Sequence, residues 1–475
     1  MEPTSLKFIC DAVAGSLHVA REDPGPGIKD LQITDVCFDS RRAKPGALFF
    51  ALKGENTDGH RFVPQALAAG AIAIVSDPID PRQTGGMQIV VADPLIALGD
   101  LAQAYRRQFE IPVTGITGSV GKTSVRSMLS HILSASATIL ASEGNFNNEI
   151  GLPITILGLK RSHSAMVVEM GMRGVGEIRR LAEIARPDSG IITNIGYSHI
   201  ERLGSREAIA EAKAELFELL PANGMAVVPE DIAFRDLVLS RLTSSCNVVT
   251  TGGPGADIQI VEMLNPGQAS CRNNLSGETF ELAFTVPGAH HVDNGLLAIA
   301  GAYRYGISSE GAAARLASWM GADGRLTVRT GKWDITVLDD CYNAAVESME
   351  SALKTLAAYP VGRVAILGDM RELGQSAEYL HERVGQIVRQ AGLRLLITVG
   401  NLARIIGETA SSEVTSDQSA NTPESWVHFT DTESCSEQIE AMVLPGDTVL
   451  VKGSRALAME RIVAHLALEE LCSHG

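Results

Sequence analysis

Short apolar runs bounded by glycine, proline and polar turns recur along this chain, and between them apolar residues fall at helical spacing. That alternation predicts parallel sheets covered by helices. Residues 46–52 (GALFFAL) predict a buried strand, residues 66–73 a small-residue helix, residues 72–75 a strand, and residues 95–108 a helix. Residues 113–117 predict a strand that enters a glycine turn, and residues 122–133 the helix that leaves it. The runs at 165–170 and 190–194 predict further buried strands. Residues 251–287 turn to Gly, Asn and strand-like alternation and predict a β-rich insertion. The last third returns to the first pattern, with strands expected at 335–338, 363–367, 395–399 and 448–451 and helices at 349–357 and 381–391. Residues 409–425 are Ser/Thr-rich and nearly free of apolar side chains, which predicts a mobile surface loop. The fold class is therefore α/β, and 475 residues fit about three domains.

Composition narrows the function. Hydrophobic residues make up 45% of the chain, enough for several cores. No apolar run approaches the roughly 20 residues of a membrane span, and Met1-Glu2-Pro3-Thr4-Ser5 has neither the basic start nor the apolar core of a signal peptide. Seven cysteines are scattered singly, without a Cys-x-x-Cys pair, which argues for a reducing cytoplasm rather than a disulfide framework or structural zinc. The net charge of −16 repels nucleic acid and anionic membrane. An anionic substrate must then be held by local basic groups and backbone amides.

The chemistry gathers at strand ends. Gly118-Ser119-Val120-Gly121-Lys122-Thr123 lies between a strand and a helix. Backbone N–H groups of such a turn face phosphate oxygens, Lys122 reaches the outer phosphates, and the Thr123 hydroxyl suits Mg²⁺. The first glycine of the usual loop signature falls at Ile116, so the match is partial there. Glu169 ends a strand run, where open α/β sheets bind ligands and where a carboxylate suits Mg²⁺. His199 follows the strand near 191–194 by a short loop and reaches the same rim, as a ligand or as a hydrogen-bonded loop histidine. Lys213 shares a helical stripe with Ile209, Leu216 and Leu220, so it is either turned inward with a partner or modification, or snorkels to solvent. Asp339 and Asp340, then Cys341-Tyr342-Asn343, follow one late strand, and Lys452-Gly453-Ser454-Arg455 ends the last.

Taken in order, these residues resemble the Mur ligase family over nearly the whole chain. Near the start, Phe38-Asp39-Ser40-Arg41, residues 45–52 and Asp58-Gly59-His60 resemble its UDP-sugar domain. Residues 117–124 are similar to its ATP loop, and Gly144-Asn145-Phe146-Asn147-Asn148-Glu149-Ile150-Gly151-Leu152-Pro153 to the stretch after it. Glu169-Met170-Gly171, Asn194-Ile195 with His199, residues 212–217, Gly288-Ala289-His290 with Asn294, Gly324-Arg325, residues 339–343, residues 368–374 and residues 452–455 follow in register. The resemblance implies a UDP-sugar domain (1–92), a central P-loop ATPase-like parallel sheet with a β-rich part (93–326), and a Rossmann-like domain for the incoming amine (327–475). It implies ATP at Gly118, Ser119, Val120, Gly121, Lys122, Thr123 and Ser124, with Asn294 on adenine, Arg325 on phosphate and Asp340 on ribose. Catalytic and metal roles fall to Lys122, Thr123, Glu169, His199 and Lys213, the last as a carbamate holding a second Mg²⁺. Substrate contacts fall to Ser40, Arg41, Asn145, Asn148, Asn343, Lys452, Ser454 and Arg455. The chain departs from the family at His291 and Cys341, where Asn and Ser are usual, and at Ala345-Val346, where Asn-Pro is usual.

The implied reaction is ATP-dependent amide formation through an acyl phosphate, in cytoplasmic peptidoglycan precursor synthesis and hence cell-wall biogenesis, cell shape and cell division. The branch resembled most joins D-alanyl-D-alanine to UDP-N-acetylmuramoyl-tripeptide. A monomer is expected, without nucleic acid or membrane insertion. Two rivals are a sister ligase that adds another amino acid, including the folylpolyglutamate type, and a nucleotide switch without a ligase step. The absent Asp-Asn-Pro-Arg string argues against a diaminopimelate adder, and the UDP-sugar-type start argues against the folate type.

Overall fold

The computed structural model describes residues 1–19, 27–54, 57–243, 245–285, 288–322, 324–360, 362–412 and 422–468. Three large sheets divide them. The first runs Ser16–His18, Gln88–Val90, Ile72–Val75, Ala47–Phe50, Asp35–Cys37, antiparallel only at its Ser16–His18 edge. All four residues of Ala47–Phe50 are buried, as a strand covered on both faces requires. The helix expected at 66–73 is Val63–Ala68, and the strand begins at Ile72 as expected.

The second sheet has nine strands, in the order Thr279–Ala283, Gln268–Asn273, Ile258–Asn265, Asn247–Gly252, Met225–Pro229, Ser189–Ile192, Val113–Thr117, Ala165–Glu169, Ile139–Ala141. Its strands are parallel from Ile139–Ala141 through Ile258–Asn265. The β-rich stretch expected at 251–287 extends this sheet as an antiparallel edge. Ala269, Cys271 and Asn273 point inward and their neighbours outward, the period-2 burial of a half-covered edge. Residues 286 and 287 of that stretch lie outside the described residues.

The third sheet runs Thr327–Thr330, Thr336–Asp339, Thr448–Lys452, Arg363–Gly368, Leu395–Val399, Ser425–Phe429, parallel except for its first pair. Its helices Val346–Ala357 and Ala377–Val388 begin three and four residues earlier than expected (346 against 349, 377 against 381). Of the polar stretch 409–425, residues 409–411 close the helix Ala403–Ser411 and Ser425 opens a strand; residues 413–421 lie outside the described residues.

Two features position the site. Asp93 caps the helix Pro94–Arg106 by accepting from the N–H groups of Leu95 and Ile96, and that helix packs on Leu6–Ala12 on one side and on Gly151–Leu157 and Glu177–Ala185 on the other. Leu98 and Leu101 are fully buried there, each worth about 1.5–3 kcal/mol, so the first sheet is fixed to the second. The carboxyl ends of the second and third sheets meet over shared cavities, where open α/β sheets bind ligands.

Candidate active site

The central strand Val113–Thr117 turns sharply at Gly118, whose φ is 147° and whose added Cβ would stand 1.9 Å from Thr193 Oγ1. Only glycine fits that turn. Gly121, at φ 85°, starts the helix Lys122–Ser134 and directs its free N–H end at the turn. The Ser119 and Val120 amides donate to Asn194 Oδ1, both at 3.0 Å. Lys122 Nζ donates to Gly118 O at 2.7 Å and lies 3.4 Å from Ser119 O. Burial lowers its pKa to about 8, while Glu169 opposes that shift.

Glu169, at the end of the neighbouring strand, is almost fully buried. Its Oε2 accepts from Thr123 Oγ1 at 3.3 Å and its Oε1 from Arg126 Nε at 2.7 Å. Sequence reasoning missed Arg126, although it sits three residues after Thr123 on one helix face, a spacing that brings side chains together. His199 Nδ1 lies 2.6 Å from Glu372 Oε2 of the third sheet's unit. Both residues hold left-handed backbone, φ 67° and 61°, a costly conformation that clusters at functional sites. Lys213 lies in Arg206–Glu218 on the buried stripe with Ile209, Leu216 and Leu220, and is itself only 2% exposed. It therefore does not snorkel. It makes no ion pair among the described residues, and burial, then the Lys122 charge, hold its amine well below the ordinary lysine value.

Two cavities share this floor. One, of about 360 Å³, is lined by Val120, Gly121, Ser124, Asn294, Arg325 and Asp340. The other, of about 610 Å³, is lined by Ser119, Lys122, Thr123, Glu169, His199, Asn145 and Asn148 from the second sheet's unit, and by Asn343, Ser454 and Arg455 from the third. Arg325 borders both. Lys452 lies apart from its motif partners: only 1% exposed, it borders the smaller cavity and donates to Asp340 Oδ2 at 2.7 Å and Asn343 O at 3.0 Å. Burial pushes the Asp340 carboxyl up and the Lys452 ammonium down, and each is the other's main offset. Ser40 and Arg41 line neither cavity; Ser40 Oγ donates to Gln65 Oε1 at 2.8 Å, and Arg41 pairs with Asp39 at 2.6 Å. Glu347 and Asp293, which the sequence reading did not single out, also border the smaller cavity.

Comparison with known proteins decides the family. Residues 32–106 match the Mur ligase family catalytic domain, residues 116–302 the Mur ligase middle domain, and residues 324–455 the Mur ligase glutamate ligase domain. The chain belongs to the Mur ligase family. It is 36% identical over 452 residues to the UDP-N-acetylmuramoyl-tripeptide–D-alanyl-D-alanine ligase of a Synechocystis species, covering 93% of each chain. It is 34% identical over 481 residues to the Escherichia coli enzyme of the same name, covering 99% of this chain and 100% of the relative. A crystal structure of MurF from Acinetobacter baumannii matches with TM-score 0.86 and 32% identity, covering 98% of both chains. MurF from Thermotoga maritima, solved with ADP, matches with TM-score 0.78 and 26% identity, covering 91% of this chain and 97% of that one.

The residues by which this Mur ligase departs from its family pattern are packed rather than exposed. Cys341 Sγ donates to Asp339 Oδ1 at 2.8 Å. At Ala345-Val346 the helix start is secured instead by Ser348 Oγ, which accepts from Ala345 N at 3.0 Å. His291 is fully buried among His290, Phe284 and Trp319, with a partner for neither ring nitrogen among the described residues. Burial drives its pKa well below 6.5, and burial also takes His290 to about 4. Both rings are thus neutral when folded and protonate on unfolding below pH 6.5. The unfolded chain then binds more protons, so stability falls as pH drops from 6.5 towards 4, each extra proton adding about 1.4 kcal/mol per pH unit. His291→Leu is expected to flatten the melting-temperature profile between about pH 6.5 and 5; a variant profile parallel to the parent's would refute this.

Proposed function

We propose that this Mur ligase joins D-alanyl-D-alanine to the terminal carboxylate of UDP-N-acetylmuramoyl-tripeptide, with ATP as co-substrate. The observation that carries this reading is the shared cavity: a phosphate loop, a buried carboxylate and third-unit polar residues open on one space, in a chain about a third identical over nearly its full length to ligases of that name. A carboxylate acylates poorly because its charge is delocalised and oxide is a bad leaving group. Phosphoryl transfer to it from ATP gives an acyl phosphate, and attack by the dipeptide amine then expels phosphate and forms the amide.

The chain's own residues have distinct tasks. The Ser119 and Val120 amides and Lys122 bind the ATP phosphates, and Arg325, which borders both cavities, neutralises charge moving between them. Asn294 contacts the base and Asp340 the ribose. Asn145 and Asn148 face the peptide end, and Asn343, Ser454 and Arg455 orient the dipeptide. Ser40 and Arg41 grip the UDP-linked part. Meeting of the second and third sheets' strand ends excludes water from the acyl phosphate.

Mg²⁺ fits this donor set. Thr123 and Glu169 offer adjacent oxygens, and Mg²⁺ takes few protein ligands. No group of three His, Cys, Asp or Glu suited to a metal occurs among the described residues, so a second ion would require an oxygen donor of another kind; Lys213 lines neither cavity, and its carbamate would supply such oxygens. Bound there, Mg²⁺ would neutralise phosphate charge. No helix of the described residues is long and apolar enough to cross a membrane, and a cytoplasmic enzyme fits the single, scattered cysteines.

Phosphate release tests the reading. It is expected only with ATP, the UDP-linked tripeptide and the dipeptide together, with one amide product per phosphate by mass spectrometry. Phosphate release without dipeptide and without amide product would favour a nucleotide switch.

A further inference from the structure

The segment after the strand Ser189–Ile192 is bonded to the phosphate loop at one end and to the third sheet's unit at the other. At its start, Asn194 Oδ1 takes the Ser119 and Val120 amides, Gly196 N donates to Ser119 Oγ at 2.8 Å, and Ser198 Oγ donates to Ser119 O at 3.3 Å. Tyr197 then crosses to the third unit. Its N–H donates to Glu347 Oε1 at 3.0 Å, and its phenol oxygen accepts from Arg383 Nη1 at 3.2 Å. Its ring lies under the Arg206 and Arg383 guanidiniums, 5.0 and 5.6 Å from the centroid, and packs on the third unit's apolar core. Arg206 Nη2 also donates to Ile195 O at 2.9 Å. A Cβ at Gly196 would stand 2.3 Å from Glu347 Oε1, so any side chain there would push the Glu347 carboxylate away.

We propose that Tyr197 is a positioning residue that ties the seating of the third unit to phosphate occupancy of the loop. Each amide N–H has one hydrogen to give. The Ser119 N–H is shared between Asn194 Oδ1 and Asn194 O, at 3.0 and 3.2 Å, while the Val120 N–H goes to Oδ1, so phosphate oxygens that take these hydrogens compete with the Asn194 side chain. Tyr197 lies three residues further on, within about 11 Å of chain, and its N–H, phenol and ring all engage the third unit. A shift of Asn194 is therefore delivered to Glu347, which borders the smaller cavity, and to Arg383, both in the third unit that also carries Asn343, Ser454 and Arg455 on the larger cavity. By linkage the effect is reciprocal: nucleotide tightens dipeptide binding by the same factor by which dipeptide tightens nucleotide binding. This rests on the proposed reading of the loop as the ATP site and of the third unit as the dipeptide's seat.

The test is calorimetric, on the full chain with the UDP-linked tripeptide present. D-alanyl-D-alanine is titrated with and without a non-hydrolysable ATP analogue, and the analogue with and without dipeptide. The wild type is expected to show coupling of roughly fivefold to a hundredfold. Tyr197→Ala is expected to bring it near unity while the analogue alone binds within about threefold of wild type, and Tyr197→Phe, which keeps the ring and its N–H, to retain most of it. If Tyr197→Ala does not fold, Arg383→Gln, which removes the phenol's donor and one stacking partner, is expected to lower the coupling severalfold. Unchanged coupling in folded Tyr197→Ala, or in Arg383→Gln where that variant stands in, overturns the proposal and leaves the functional reading intact. Failure of the wild type to bind analogue or dipeptide at all overturns both.

Discussion

Lys122→Ala is expected to lower ligation at least a thousandfold while the melting temperature stays within a few degrees of wild type. Its Nζ rests on the Gly118 and Ser119 carbonyls, so truncation removes a cation from a turn and opens no apolar cavity. Transfer of the γ-phosphoryl group spreads charge over oxygens that this ammonium is placed to meet, in a site where charge is weakly screened. The depressed pKa, about 8, still leaves most of the amine charged at pH 7. Lys122→Arg keeps the charge but brings a wider, planar head that does not fit between the two carbonyls, so it is expected to rescue little. Near-normal phosphate release from a folded Lys122→Ala enzyme would remove the loop from the mechanism.

Much of this site was legible in the chain because its parts obey local rules. A buried strand running into glycines and a lysine folds the same way in many contexts, and the strands 113–117 and 395–399 fall on their expected bounds. Helical spacing placed Lys213 on an apolar stripe but left inward burial and snorkelling both open, and its burial decides for the first. What local rules cannot reach is long-range. Arg126 and Glu169 are 43 residues apart, Tyr197 and Glu347 are 150, and only the sheet order brings them together. Lys452 shows the same limit. Its motif neighbours Ser454 and Arg455 open on the larger cavity, yet strand alternation and a buried partner, Asp340, turn Lys452 to the smaller one. The β-rich stretch was legible as strands, but whether it formed a separate layer or an edge depended on pairing with Asn247–Gly252.

Lys213→Met is expected to fold as well as the wild type and to lose nearly all ligation. The side chain is fully enclosed and its helix is independently secured: Ser205 caps it by accepting from Ala208 N. Methionine keeps the stem's volume and removes only the amine, which as an ammonium is costly in that setting. Burial and the nearby Lys122 charge both favour the neutral amine, the form that reacts with CO₂. The N–C bond that forms gives an N-carboxylate and releases one proton, replacing a repelled cation with an anion whose two oxygens suit a hard metal. The same residue change therefore separates packing from chemistry: stability unchanged or slightly raised, activity lost. Formate or acetate at high concentration is expected to restore part of the activity in Lys213→Ala, where the truncated stem leaves room for a small carboxylate, and not in Lys213→Met, where the space is filled. Carbon-13 NMR of the wild-type enzyme in labelled bicarbonate is expected to show one carbamate resonance that disappears in both variants. Full activity without that resonance would leave Lys213 as an unmodified amine and rule out its role as a source of metal ligands.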